Sequence, residues 1–552
     1  MCGEQAQIGP IRHTSWTAVR GSHSLHFPRV SSVSEPQSVS GQVRRTALIL
    51  WIATGALTLW MALFPFVADL RVVNDDVKFV RGNQNVGTLA ENLEFGWRRP
   101  YGFRPLEIVI ASACDPVTLI CWPVVPVQAA GLLVLSWGVI AVCRRAFGPN
   151  PVAAPLVLLW VLVSPATMSS LWQMDTCSQT WAAALGLWCA ILAFDAMRPR
   201  GEVRFQWGKI ALLFALSAIA MTVKETHYGW SASIGIALIV AIAMTWKRDR
   251  SAAWRGVVAL VAVALVPLLY LIARKVLTAG LAHSMVADPE AGRYEVLLEE
   301  NLLGNVVALA AALLSDGPLH LIMDERANLL LRALAPISAL ASTGLVFAAA
   351  ALMLIRHHVP RNVPCRLPLI AAVICTASVI ATVPMGTVSD LYTFGPNVGA
   401  GLLLVLAGTL LWNPAEPSDR ALTHPIALIA ATVLATIGLY GVASRSYHFA
   451  LTWEYARTLN TIILEHQAAI PPDAVRASPA RISYTAECDS GHTYGQVMVD
   501  PLSCLGLASL VQWCNARDPD RPIRFLRYEL TQVRPGVDLR LDCAALRVRQ
   551  HW

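Results

Sequence analysis

What most constrains this chain is the repetition of apolar blocks about 17 to 25 residues long, separated by short polar loops. An α-helix needs that length to cross roughly 30 Å of hydrocarbon, and a water-soluble core has no use for so many such blocks. Composition agrees, with 55% of the 552 residues hydrophobic and 14% charged, where a soluble domain carries about 25% charged. An ordinary cytosolic enzyme is excluded, and the chain reads as an α-helical polytopic membrane protein. The 43 basic and 36 acidic residues leave a net charge of +7. By number alone that would suit a nucleic-acid partner, but the charges follow the loops of a membrane protein instead.

Residues 1–45 are rich in Ser, Arg and His, with five arginines against two glutamates. They read as a disordered cytoplasmic extension without the apolar core of a signal peptide. The first span, 46–68, is uncharged and follows Arg44 and Arg45, which places the N-terminus inside and Asp69 outside. Further spans are expected near 117–143, 151–169, 178–196, 208–224, 229–246, 256–273, 331–355, 367–385, 397–412 and 424–443, eleven in all. Under this count Arg144 and Arg145, then Arg198, Arg200, Arg204 and Lys209, then Lys247, Arg248, Arg250 and Arg255, then Arg356, Arg361 and Arg366 all fall on inner loops. The apolar stretch 302–314 is short for a span and reads as an interfacial or re-entrant helix.

The C-terminus should then lie outside as a small mixed α/β domain over 444–552, opening with an amphipathic helix at Tyr447–His466. It carries 12 arginines against 11 acids and so no basic patch. Four of the 12 cysteines, Cys488, Cys504, Cys514 and Cys543, lie in this tail. An even set outside the membrane suits two disulfides, with three pairings open; the rival zinc site lacks a CxxC or HxxxH spacing. Cys121, Cys143, Cys189 and Cys375 lie in or at the ends of spans, where cysteine usually acts as a small hydrophobe. No P-loop, G-x-G-x-x-G or G-x-S-x-G is present, which disfavours a nucleotide-driven pump or a hydrolase built on those motifs.

The first outer loop, 69–115, concentrates the chemistry. Asn74-Asp75-Asp76 sets two carboxylates side by side near a span, suited to a general base or, as the plainer reading, to a helix cap. Farther on, Arg98, Arg99 and Arg104 stand among Trp97, Tyr101 and Phe103. A guanidinium fork suits phosphate oxygens, while Arg98 and Arg99 equally suit lipid headgroups. On the same side fall Asp175 and Gln179, Lys224-Glu225-Thr226-His227-Tyr228, and Asp390 with Tyr392. Lys224 ends a span on the side away from the basic loops, where ionisable groups are costly and tend to serve function; snorkelling to the interface is the alternative.

In this order the residues resemble the GT-C superfamily of integral-membrane glycosyltransferases, in particular bacterial relatives of the protein O-mannosyltransferase and TMTC groups. The resemblance covers 46–443 and is carried by Asn74-Asp75-Asp76, Arg104-Pro105-Leu106, Lys224-Glu225 and Ser389-Asp390-Leu391-Tyr392. Leu391 departs from the pattern, which more often has arginine there. The resemblance implies a polyprenyl-phosphate sugar donor used at the outer face, and an envelope glycan, lipid or protein as acceptor. It implies Asp75 or Asp76 as base, and Arg104 and Lys224, with Arg98 and Arg99, at the donor phosphate. Asn74, Asp175, Glu225, His227, Tyr228, Asp390 and Tyr392 would then contact substrate. No cofactor is assigned; a divalent metal on the acidic pair would be compatible but is not required. The rival readings are a transporter or flippase of lipid-linked saccharides, which a charged or broken helix near the midplane would favour, and a noncatalytic envelope-assembly protein.

Overall fold

The computed structural model describes residues 41–72, 88–98, 104–174, 176–197, 203–224, 226–278, 329–356, 366–379, 393–413 and 419–469, the strands named below, and the single positions Val80, Val306 and Leu313. In chain order the helices are α1 (Gly41–Val67), α2 (Leu89–Arg98), α3 (Pro105–Ser112), α4 (Val124–Phe147), α5 (Ala153–Val163), α6 (Pro165–Trp172), α7 (Cys177–Ala196), α8 (Val203–Val223), α9 (His227–Thr245), α10 (Arg250–Thr278), α11 (Leu329–Arg356), α12 (Arg366–Ala377), α13 (Phe394–Trp412) and α14 (Arg420–Ala469). Of the expected extension 1–45, residues 1–40 lie outside the described residues, as do nearly all of 302–314 and the four tail cysteines, whereas 41–45 form the first turn of α1 rather than a disordered tail.

Among the described residues, seven helices are long and apolar enough to cross a membrane (α1, α4, α7, α9, α10, α13 and α14), or eight if α5 and α6 form one span. The protein is a multi-pass helical membrane protein. The remaining three expected spans fall on shorter apolar stretches, Trp207–Val223, Pro336–Leu352 and Leu367–Ala377. Burial separates centre from periphery: 83% of the span positions of α7 and of α13 are buried, against 28% in α1 and 33% in α10. Leu48, Ile49 and Ile52 on α1 remain exposed, as side chains facing lipid would be.

Four sequence expectations change. The second span begins at Val124 rather than 117, because the chain first makes a tight turn in which Asp115 N–H donates to Ile120 O at 2.9 Å and Val72 N–H to Leu119 O at 2.8 Å. A disulfide joins Cys114 to Cys121 across this turn, Cα to Cα 4.4 Å, so Cys121 is not a free apolar filler. Cys143, Cys189 and Cys375 do stay buried as free thiols.

The third span, read as continuous over 151–169, is broken, with α5 and α6 meeting at 70°. Pro165 is the cause. It cannot donate within a helix and drives the preceding residue toward extended backbone, and Ser164 sits at φ −64°, ψ 137°. The groups exposed by the break are taken up locally. Thr167 Oγ1 donates to Val161 O. Arg445 Nη1 of α14 donates to Val163 O at 2.7 Å, and Asn397 Nδ2 of α13 to Ser164 Oγ at 2.6 Å. Gly438 makes room for this, since a Cβ there would meet Val163 Cγ2 at 3.0 Å.

The last span and the amphipathic helix after it are one element, the 50-residue α14, roughly 75 Å long. No glycine or proline interrupts it between Ala443 and His466. Its far part packs Phe449 and Trp453 against Trp172, with ring centroids 5.0 and 6.2 Å apart. Arg457 lies 3.6 Å from Asp69, and Asn460 donates to Val117 O. Beyond α14 come β1 (Arg481–Ala486), β2 (Thr493–Tyr494), β3 (Val497–Met498), β4 (Phe525–Leu530), β5 (Asp538–Asp542) and β6 (Arg547–His551). β1 pairs parallel with β4, β2 antiparallel with β3, and β5 antiparallel with β6.

Candidate active site

Each end of the central helix α7 carries a charged cluster. Ser178 near its start and Asp195 near its finish are roughly 25 Å apart along the axis. At the Asp195 end, Arg145 approaches at 2.7 Å and Lys209 at 3.8 Å, while Arg255 Nε donates to Ala196 O at 2.9 Å. These residues border the arginine-rich loops, and the cluster ties α4, α7, α8 and α10 together.

At the other end the hub is Glu107, a residue the sequence reading passed over. Pro105 occupies the first turn of α3, where its missing N–H costs nothing, and Glu107 follows in the same turn, where the helix dipole favours a carboxylate. The Glu107 side chain is 0% exposed. Its Oε1 accepts a hydrogen bond from Ser178 Oγ of α7 and lies 3.4 Å from Lys224 Nζ. Its Oε2 lies 3.4 Å from Arg104 Nη1. Lys224 is placed at the end of α8, where its N–H still bonds Ala220 O at 3.1 Å. Three elements therefore converge, and the pair Glu107–Lys224 spans 117 positions of sequence. The available signal for Glu107 was a single acid inside the apolar run 105–111, three residues after Arg104.

Beside this hub, His227 opens α9 with Nε2 3.1 Å from Ser217 Oγ. Its Nδ1 is buried without a hydrogen-bond partner among the described residues. Thr226 Oγ1 donates to Gln179 Oε1 at 3.3 Å. A small crevice, with room for about one water, lies between α7, α9, α12 and α13; Gln179, Thr226, Trp230 and Ser378 are among the residues lining it. Gly229 lets α9 press against the end of α12, since a Cβ there would fall 1.8 Å from Ser378 O.

The structure thus brings together Arg104, Lys224 and, one turn away, His227, three of the residues singled out from sequence. Tyr228 packs edge-on against Tyr270 of α10, with ring centroids 6.4 Å apart. Arg98 closes α2, with its side chain outside the description. Asn74, Asp75, Asp76, Arg99, Asp175, Glu225, Asp390 and Tyr392 lie outside the described residues. The described residues on either side of the acidic segment are placed. Arg71, four residues after α1, donates to Thr118 O at 2.7 Å and pairs with Asp69 at 2.5 Å.

These features define a polytopic membrane protein with a polar, charged hub at one end of its central helix. No family model and no curated protein matches the chain. The chain is similar to ArnT from Cupriavidus metallidurans, a structure bound to undecaprenyl phosphate, at 14% identity and TM-score 0.42 over 88% of this chain and 89% of that one. It is also similar to the apo oligosaccharyltransferase of Archaeoglobus fulgidus, at 11% identity and TM-score 0.39 over 83% of this chain and 64% of that one.

Proposed function

We propose that the protein is a GT-C-type glycosyltransferase of a bacterial inner membrane, moving a sugar from a polyprenyl-phosphate donor to an envelope glycan, lipid or protein at the periplasmic face. The observation that carries this reading is the meeting of Arg104 and Lys224, distant in sequence, on one side of the helical bundle. Two cations held near the bilayer surface suit a lipid phosphate. In this reading Asp75 or Asp76 takes the proton of the acceptor hydroxyl. The acceptor oxygen then bonds to the anomeric carbon as the bond to the phosphate oxygen breaks, and the electron pair leaves with the polyprenyl phosphate. Arg104 and Lys224, assisted by Arg98 and Arg99, stabilise the charge that develops there. Asn74, Asp175, Glu225, His227, Tyr228, Asp390 and Tyr392 are assigned to substrate contacts.

The same proposal takes the eleven-span topology, with residues 1–45 in the cytoplasm and 444–552 as a periplasmic domain in which Cys488, Cys504, Cys514 and Cys543 form two disulfides. The Cys114–Cys121 bond supports this side as the oxidising one. The test is transfer of radiolabelled sugar from a panel of synthetic polyprenyl-phosphate sugars by purified protein with extracted acceptor fractions. The Asp75→Asn plus Asp76→Asn variant should stay folded and lose transfer; full retained transfer removes the assignment.

One observation favours a second reading. The break at Ser164–Pro165, with the buried Arg445 beside it, is a feature that carriers use to build a substrate site. A lipid-linked-saccharide flippase would move labelled lipid across proteoliposomes without sugar transfer.

A further inference from the structure

Glu107 has no part in the reaction just described, yet it is fully buried and is the group on which both phosphate-binding cations converge. Its position is set by Pro105 at the start of α3 and by the Ser178 hydroxyl. Its two ion contacts are long. Each is 3.4 Å, where charge-assisted pairs usually close to about 2.7–2.9 Å and where Arg145–Asp195 in the same protein reaches 2.7 Å. A carboxylate that meets two cations without closing on either sets a fixed negative charge directly behind them. Exposure is graded to match, with the Arg104 side chain 21% exposed and that of Lys224 8%, while Glu107 lies behind them at 0%.

We propose that Glu107 is a positioning residue that holds Arg104 and Lys224 for the donor phosphate and competes with that phosphate for them. In this way it limits how tightly the lipid phosphate is kept and helps to release the polyprenyl-phosphate product. The inference rests on the reading that those two cations bind phosphate. An incoming phosphate shares the cations with a fixed negative charge a few ångströms away, so its binding is weakened by repulsion. Removing that charge while keeping the side-chain shape reverses the effect.

The experiment measures binding of a short-chain polyprenyl monophosphate, carrying no sugar, to the full chain in detergent, together with steady-state transfer and thermal stability. Glu107→Gln should bind the phosphate on the order of tenfold tighter while steady-state turnover falls. A purely structural role gives weaker binding with a lower Tm, and unchanged or weaker binding in folded Glu107→Gln overturns the inference. The Arg104→Gln plus Lys224→Gln variant separates the two levels. If it keeps wild-type affinity, the phosphate seat lies elsewhere and the functional reading fails. If it loses affinity while Glu107→Gln shows no gain, only the role of Glu107 fails. Should Glu107→Gln not fold, Glu107→Asp, which draws the charge back by one methylene, should bind tighter by a smaller factor; no gain there overturns the inference equally.

Discussion

Arg104 and Lys224 come from separate segments, α8 and the turn before α3, and reach the same carboxylate from two sides. If they stabilise a departing phosphate, replacing either by glutamine should lower transfer by about two orders of magnitude, the scale seen when one preorganised electrostatic contact is removed. Stability should change less for Arg104, which keeps part of its surface in solvent, than for Lys224, whose loss leaves the buried Glu107 carboxylate with one cation fewer. A variant with full activity would remove that residue from the phosphate site. Gly229 makes a different kind of demand. With Ser378 O where its Cβ would go, Gly229→Ala must push α9 off α12. It should cost roughly 1–3 kcal/mol, the range for overpacking, read as a fall in Tm of the detergent-purified protein. An unchanged Tm would mean that the two helices are not in contact.

Two elements show how local chemistry sets the boundaries of helices. At the start of α2, Thr88 and Glu91 cap each other. The Thr88 N–H and hydroxyl donate to Glu91 Oε2 at 2.6 and 2.9 Å, and Glu91 N–H donates to Thr88 Oγ1 at 3.4 Å. These bonds, the backbone one first, hold the Glu91 carboxyl below its ordinary value of 4.5. A depressed carboxyl stabilises the cap fully above its unfolded pKa, and that contribution is lost as pH falls through the lower folded value. Hydrogen exchange at residues 88–92, corrected for intrinsic rates, should therefore quicken on going from pH 6 to pH 3; equal protection at both would rule the cap out. At the break between α5 and α6, Arg445 serves the Val163 carbonyl from inside the bundle. Arg445→Met leaves that carbonyl without its donor and should destabilise by about 1–3 kcal/mol, measured by thermal unfolding; no loss would show that another group takes over.

For the whole molecule, the Cys114–Cys121 bond, the Arg71–Thr118 and Asn460–Val117 hydrogen bonds and the Arg457–Asp69 pair fasten α1, the turn before α4 and the far part of α14 into one assembly. Closing so short a loop should contribute about 2–3 kcal/mol by chain entropy. The Cys114→Ser plus Cys121→Ser variant should accordingly unfold at lower temperature while still inserting into the membrane. A membrane-impermeant maleimide applied to intact cells should label a cysteine placed at Glu94 and not one at Arg248. The reverse pattern would invert the topology. Sequence alone determined that the chain is a bundle of membrane helices and where most of them run, because the length of an apolar block and the charge of its flanks are local quantities that the bilayer reads directly. It also singled out Arg104, Lys224 and His227, since a polar group at the end of an apolar helix is conspicuous by itself. Only the tertiary structure decided that the third span breaks, that Cys121 has a partner and that Glu107 is the hub. A proline's effect on a span depends on which neighbours take up the freed carbonyls, a disulfide on two sulfurs being brought together, and a buried carboxylate on a cation 117 residues away in the chain. Such pairings are properties of packing, and no spacing along the sequence encodes them.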